Sequence, residues 1–507
     1  MTDNKIVKKD KSLNQLSMMI LLTIITQVFM FLKGSLVAAK FGVSTDLDAF
    51  NFANSIGSFA YSFIGSGIST ILMPNLEDKD KEGSLNTFIT VLYTGAFSIL
   101  VLMIVFRRSL ISILSGSSDS YFITLSANIF IVTLISGFLS SFLGLVNGVL
   151  QYKGQFNRLK LVALLTSVLL FFSLLLGGQI SIYYYAMATL ITTIINVSIN
   201  LFFLIKSDFK YSLNFDIRDK SFKNMIILFI PTVLGEGLYQ ISLIIDTLIS
   251  SRLGSGQVSI LNYSNTVIGM LNILFLGNIT SFIYPRLIKT CKENKSQEDL
   301  CKYIILINAM MCMIVGLFFI SGKEAVSILY ERGHFRPRDT SIVYLCSLIY
   351  IISLPTNAIR DLVYKYFYIN NDTYSTFRNS IMISVINIVV SLILSKYIGL
   401  YGIALGTVVA SYLSLILISI KFKNKFDFKF NRSKFIIENL KIVGSTFVTC
   451  ALLNLLKNYF IINNRFLSVI LYSIVFVVIL AIILFVLKSS VTKGLPKQEM
   501  NGDKAIS

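Results

Sequence analysis

The chain has 507 residues, 54% of them hydrophobic and only 14% charged, and so small a charged share excludes a water-soluble globule. A formal net charge of +19 would suggest nucleic acid as a partner for a soluble protein, but here the basic residues sit in short connections between long apolar runs, so the charge is read as membrane topology and no nucleic acid is expected. Five scattered cysteines, Cys291, Cys301, Cys312, Cys346 and Cys450, and the single histidine, His334, lack the spacing of a disulfide framework or a zinc site.

The N-terminal stretch 1–13 is a basic tail that runs straight into an apolar segment with no small-residue cleavage motif, so the first helix is expected to stay in the mature protein. A spanning helix needs about 20 mainly apolar residues. Segments that qualify lie at roughly 14–40, 47–75, 85–106, 121–150, 158–178, 181–205, 222–251, 257–285, 300–321, 340–369, 374–396, 400–420, 435–457 and 466–487. The fold class predicted is therefore all-α: a polytopic membrane protein with 14 transmembrane helices. Lys and Arg concentrate in the two tails and in the connections after even-numbered helices, which places both termini in the cytoplasm. The segment Gly322 to Asp339 breaks this bias with Lys323, Arg332, Arg336 and Arg338.

Ionisable groups inside spans are costly unless they meet a cavity or a partner. Lys33, in the first span, either snorkels to the interface or offers a cation to a phosphate. Asp48 opens the second, where a carboxylate meets the helix dipole; Asp46-Leu47-Asp48 also has the form of a metal-nucleotide DxD motif, but lies in a tight connection rather than in a domain. Glu236 and Asp246 are ten residues apart in the seventh helix, roughly 15 Å along the axis, too far to share one ion directly. Asp246 is a candidate sodium or proton site, with Asn379, Ser380 and Asn387 as oxygen-bearing partners. Arg360, Asp361 and Lys365 cluster in the tenth span, where Arg360 and Asp361 can neutralise each other.

Landmarks recur at an offset of about 215 residues. Met73-Pro74 answers Tyr284-Pro285, Ser112-Ile113-Leu114 answers Ser327-Ile328-Leu329, and Tyr185-Ala186-Met187-Ala188 answers Tyr401-Gly402-Ile403-Ala404. Two six-helix repeats with the same orientation follow, forming two lobes around a cavity. The boundaries expected are an N-lobe over 14–206, a linker over 207–221, a C-lobe over 222–420, a basic linker over 421–434, two extra helices over 435–487 and a tail over 488–507. Gly144-x-x-x-Gly148 and Gly402-x-x-x-Gly406 are read as close helix contacts.

Five stretches resemble the MurJ family, the lipid II flippases of the multidrug/oligosaccharidyl-lipid/polysaccharide exporter superfamily: LKGSLVAAKFGVSTDLDAFNFA (32–53), GSGISTILMP (65–74), QISLIIDTLISSRLGSGQVSILNYSN (240–265), LYERGHFRPRDT (329–340) and KYFYINNDTYST (365–376). The resemblance implies fourteen helices, alternating access between two lobes, a groove made with the last two helices for a lipid tail, and a cationic cavity for pyrophosphate. Lys33 falls at the family's first-helix arginine position, whereas Tyr61 and Thr266 fall where the second- and eighth-helix arginines would be. Glu331, Arg332, Gly333 and Phe335 belong to the box loop, expected to shape an outer gate.

The expected function is a flippase, not an enzyme, that carries an undecaprenyl-pyrophosphate-linked glycan across a bacterial cytoplasmic membrane. Lys33, Asp48, Arg360 and Lys365 are the candidate headgroup residues, and no cofactor is expected beyond a coupling Na+ or H+. A flippase for another lipid-linked oligosaccharide, favoured by the two replaced arginines, stays close to the lipid II reading. A drug-cation antiporter would want acidic cavity residues, and a membrane glycan polymerase a large extramembrane loop.

Overall fold

A computed structural model of the chain describes residues 2–76, 82–153, 155–178, 180–207, 209–273, 296–370, 372–426, 431–459, 462 and 464–493. The Tyr284-Pro285 landmark, Cys291 and most of the C-terminal tail lie outside the described residues, as does the side chain of Glu236. The described residues form helices and connections without strands, as the apolar runs predict. The helices are α1 (Thr2–Phe41), α2 (Thr45–Asn75), α3 (Glu82–Val105), α4 (Arg107–Ser115), α5 (Ser120–Tyr152), α6 (Phe156–Leu176), α7 (Ile182–Ile205), α8 (Lys220–Ser251) and α9 (Gln257–Leu271). They continue with α10 (Ser296–Tyr330), α11 (Pro337–Ile351), α12 (Leu354–Ile369), α13 (Thr373–Ile398), α14 (Leu400–Phe426), α15 (Arg432–Tyr459) and α16 (Arg465–Val486).

Among the described residues, 11 helical stretches are long and apolar enough to cross a membrane, α11 and α12 together making one of them. The helices α2, α8 and α9 lie in the other three segments expected from the sequence. Polar residues set many of the helix starts. Ser44 caps α2, Asp119 caps α5, Ser181 caps α7, Asp219 caps α8 and Asn464 caps α16, each side chain accepting from backbone N–H groups that the first turn leaves open. Two repeat landmarks fall at equivalent places, Tyr185 in the first turn of α7 and Tyr401 in the first turn of α14.

The chain divides into two compact units, and the division does not follow the two sequence halves. The first comprises Met1–Met270, Leu329–Cys346 and Ser380–Gly406. Its α2 and α5 pack so closely that a Cβ on Gly144 would collide with the Gly65 backbone, and one on Gly406 would meet Ser391 of α13. These close approaches are what the small-residue spacings anticipate. A core of Ile68, Leu72, Phe88, Val146, Leu150 and Phe222 ties α2, α3, α5 and α8 together.

The second unit comprises Leu271–Ile328, Ser347–Asn379 and Thr407–Ser507. In it Ile442 and Leu453 of α15 pack with Tyr472, Phe476 and Leu480 of α16 against Ala309 and Cys312 of α10. At one end Lys457 pairs with Glu324 at 2.6 Å and Arg465 donates to Ser327. A largely apolar cavity of about 1010 Å³ lies between α10, α12, α14 and α15, lined by Val315, Phe319, Ile359, Leu415, Val443 and Phe447 among others.

Candidate functional site

Within the first unit, one end of the helix bundle is closed by contacts between segments far apart in sequence. The α1–α2 connection is a turn at Gly42 and Ser44, and the α8–α9 connection carries Gly254 and Gly256, both with positive φ. Asp48, one turn into α2, points across to the start of α9. Its carboxylate accepts from Gly256 N–H, from Ser259 N–H at 2.7 Å and from the Ser259 hydroxyl at 2.6 Å. A buried carboxylate is stable only with such donors, and the N-terminus of α9 supplies both open N–H groups and a favourable dipole. Asp48 is fully buried by this arrangement. The sequence reading puts Asp48 at a headgroup; in the structure three of the roughly four acceptor positions of its carboxylate are used by α9. The cap of its own helix is Ser44 instead, which accepts from Leu47 N–H at 3.3 Å.

Further bonds close the same end. The Tyr263 hydroxyl donates to the Gly42 carbonyl at 3.1 Å, Thr45 and Ser255 share a bond of 2.6 Å, and Tyr121 donates to Asp46 at 2.7 Å. Arg252 reaches the Ser115 and Leu114 carbonyls at the C-terminus of α4, where a cation suits the helix dipole. Asp46 is thus bonded to a tyrosine and Asp48 to a helix terminus.

The box loop docks here as well. Gly333 has φ +59, and a Cβ there would collide with the Ala39 carbonyl, so only glycine lets the loop approach α1 this closely. The next residue, His334, donates its backbone N–H to Ala39 O at 3.0 Å. Phe335 is buried in an aromatic cluster with Tyr263 and Tyr330, ring centroids 5.2 and 5.7 Å away. Glu331 accepts from Thr340 at 2.8 Å, while Arg332 is exposed. The loop is a fixed wedge against α1 and α9.

The cations expected to meet a headgroup are distributed between the two units. Lys33 lies in the first, half-buried in α1, with no ion pair among the described residues. The other two lie on α12 in the second. There Arg360 stands over the Tyr364 ring at 5.7 Å, and Lys365 pairs with Asp361 at 3.4 Å. The expected Arg360–Asp361 pair gives way to an i,i+4 pair, because adjacent residues on a helix point in different directions. Tyr61 is buried against Phe138, and Thr266 is exposed with its hydroxyl returned to the Asn262 carbonyl. Neither supplies a cation.

Asp246 lies buried on α8, and its Oδ1 has no hydrogen-bond partner among the described residues. Ser391 of α13 is within hydrogen-bonding reach of this carboxylate. The same hydroxyl lies 2.9 Å from Asn387 Oδ1 and 3.4 Å from the Ile403 carbonyl. The Ser391 hydroxyl thus stands beside several oxygens, of which Asp246 Oδ1 is the one without a partner among the described residues. Asn379, grouped with it from the sequence, is two turns away on the same helix, about 12 Å. Its amide is committed to the Tyr364 hydroxyl at 2.8 Å and to Ser414. The partner that the sequence reading missed is Ser391, which no spacing marks.

Residues 37–476 match the family described as lipid II flippase MurJ. The chain belongs to this family. Among curated MurJ-type relatives, each described as a probable lipid II flippase MurJ, it is 26% identical to the one from Helicobacter pylori strain J99 over 76% of this chain and 86% of that protein. It is 25% identical to the one from Aquifex aeolicus over 84% of this chain and 87% of that protein. Among solved structures, it matches a lipid II flippase MurJ in an inward closed conformation with a TM-score of 0.79, at 21% identity over 93% of this chain and 99% of that one. An inward-facing multidrug resistance transporter of the MATE family matches with a TM-score of 0.66, at 15% identity over 79% of this chain and 94% of that one. These likenesses show the fold, which the chain shares with both structures. The chain is accordingly a multi-pass inner-membrane transporter and not an enzyme.

Proposed function

We propose that this chain translocates lipid II, an undecaprenyl-pyrophosphate-linked glycan, from the inner to the outer leaflet by alternating access. The observation that carries the reading is the match of residues 37–476 to the lipid II flippase family. The distribution of Lys and Arg supports an orientation with both termini in the cytoplasm, which makes the latch at Asp48 the outer closure. In this account Lys33 neutralises phosphate in the headgroup path of the first unit, and Arg360 and Lys365 are the candidate cations that the second unit offers an anionic cargo. The polyprenyl tail stays in lipid, with the apolar cavity of the second unit offering it a sheltered route.

The outward step needs an energy source, and the Asp246 cluster suits one. Asp246 Oδ1 is buried without a partner among the described residues, beside the Ser391 hydroxyl, and a sodium ion or a proton there would satisfy it. One elementary charge moved across 100 mV is worth about 2.3 kcal/mol, enough to bias a two-state rocking transition. Asp246→Asn is expected to abolish acceleration of transport by an ion gradient, leaving a slow gradient-independent rate. Transport assayed in liposomes with and without imposed sodium and proton gradients checks this; a variant that still responds to either gradient refutes the assignment.

A second reading has its own support. Tyr61 and Thr266 stand where the family pattern carries arginines, so the headgroup site holds fewer cations than pyrophosphate recognition would favour. Another polyprenyl-linked oligosaccharide, such as a capsule or teichoic-type repeat unit, fits that difference. Purified protein in liposomes loaded with lipid II or with a second polyprenyl-pyrophosphate oligosaccharide separates the two, the readout being glycan that becomes accessible to an impermeant modifying enzyme. Movement of the second glycan alone would overturn the lipid II reading.

A further inference from the structure

The linker between the two repeats is not spent by the transport cycle described above, and its pattern is informative. From Phe209 to Asp216 the chain runs without helix or strand from the end of α7, and it turns at 217–218 into α8. Ser212 accepts from Asn86 at 2.9 Å, Asn214 donates to the Gly83 carbonyl at 3.1 Å and the Tyr211 hydroxyl bonds Thr90 at 2.7 Å, fastening the linker along the start of α3. Asp219 holds the far end by bonding Ser84 while capping α8, and Phe209 packs into the core at the near end. Leu213, Phe215 and Ile217 between these anchors are left 74%, 51% and 57% exposed. Three large apolar side chains in a row are not a surface that water favours.

The flanking charges say what covers them. Lys206, Lys210, Arg218, Lys220 and Lys223 are all exposed around this apolar row. Of the acidic residues nearby, Asp219 is committed to the α8 cap and Ser84, and Asp216 accepts from Arg218 N–H at 3.2 Å. An apolar row bordered by cations, at the end of two membrane-crossing helices, matches the boundary between acyl chains and anionic headgroups.

We propose that this linker is a membrane foot: its apolar row lies in the interface of the leaflet at this end of the bundle, and its basic residues select anionic phospholipids there. With the orientation proposed above, that leaflet is the cytoplasmic one. These bonds keep the foot rigidly joined to α3, so the start of α8 is held at a fixed depth while the rest of the helix is free to move.

The test uses the full chain with its native cysteines replaced, carrying one environment-sensitive fluorophore at Leu213→Cys or, for comparison, at Asp216→Cys. Each protein is placed in nanodiscs of phosphatidylcholine alone or with about one third phosphatidylglycerol, a composition that gives the surface negative potential. The proposal expects the label at 213 to be quenched by nitroxide near the lipid headgroup and shielded from aqueous iodide, with the label at 216 the reverse. Replacing the five basic residues by glutamine is expected to reduce bound phosphatidylglycerol several-fold, counted by native mass spectrometry, with the fold intact by circular dichroism. Equal access of iodide to both labels, whatever the lipid, overturns the proposal, as does unchanged phosphatidylglycerol binding in the glutamine variant. Neither readout involves the cargo, so a foot can be established in a protein that moves no lipid II, and a lipid II flippase can be shown to lack one.

Discussion

Asp48→Ala is expected to open the closed end of the first unit and to stop transport. Three donors, Gly256 N–H, Ser259 N–H and the Ser259 hydroxyl, converge on this one carboxylate. Its removal leaves them buried without an acceptor, at about 1–3 kcal/mol for each group that water does not reach. Even a net loss of about 3 kcal/mol would shift a closed-to-open ratio by roughly a hundredfold. Asp48→Asn keeps one acceptor oxygen but loses the charge, and is expected to fall between. The measurement is the rate at which an impermeant thiol reagent labels Ser259→Cys, in cells and in a cysteine-free background. Labelling should be slow with Asp48 and fast with alanine. The reverse construction should hold the end shut: Thr45 and Ser255 bond at 2.6 Å, so cysteines there are placed to form a disulfide that blocks transport until reduced. If Asp48→Ala labels no faster than the parent and still transports, the latch is not part of the cycle.

Lys33→Glu is expected to give the largest loss of transport among the headgroup candidates. The lysine sits half-buried in a spanning helix without an ion pair among the described residues, a costly position that an anionic cargo would justify. A charge-assisted contact to phosphate is worth about 1.5–3 kcal/mol, so Lys33→Ala should slow movement of a pyrophosphate-linked glycan by roughly ten- to a hundredfold, and glutamate by more through repulsion. Lys33→Arg should retain or improve the rate, because the guanidinium adds a bidentate fork. Retained activity in Lys33→Glu, with protein levels unchanged, would return Lys33 to a snorkelling role.

What the sequence disclosed depends on how local the physics is. Apolar runs of bilayer length and the residues that cap them are local, so the helices follow the predicted segments closely. The box loop was visible as a basic stretch against the topological bias, and the structure gives its glycine a steric reason at Ala39. Contacts between distant segments left no such trace. Asp48 is 208 residues from Gly256, and nothing in the period of α2 shows whether its first-turn carboxylate caps its own helix or another. The same holds for Tyr263 on Gly42 and for Ser391 beneath Asp246: a serine on an apolar helix is common, and only packing selects the one that matters. The expected Arg360–Asp361 pair failed for a different reason. Adjacency in sequence is not adjacency in space on a helix, which brings Asp361 to Lys365.

The central claim is tested most directly in cells depleted of their own lipid II flippase and expressing this chain, by measuring the lipid II that becomes accessible to an external enzyme. The account predicts restored accessibility with the parent chain and loss of that restoration with Asp48→Ala and Lys33→Glu. A stably inserted parent chain that restores nothing would contradict it and leave the protein a MurJ-family transporter of some other lipid-linked glycan.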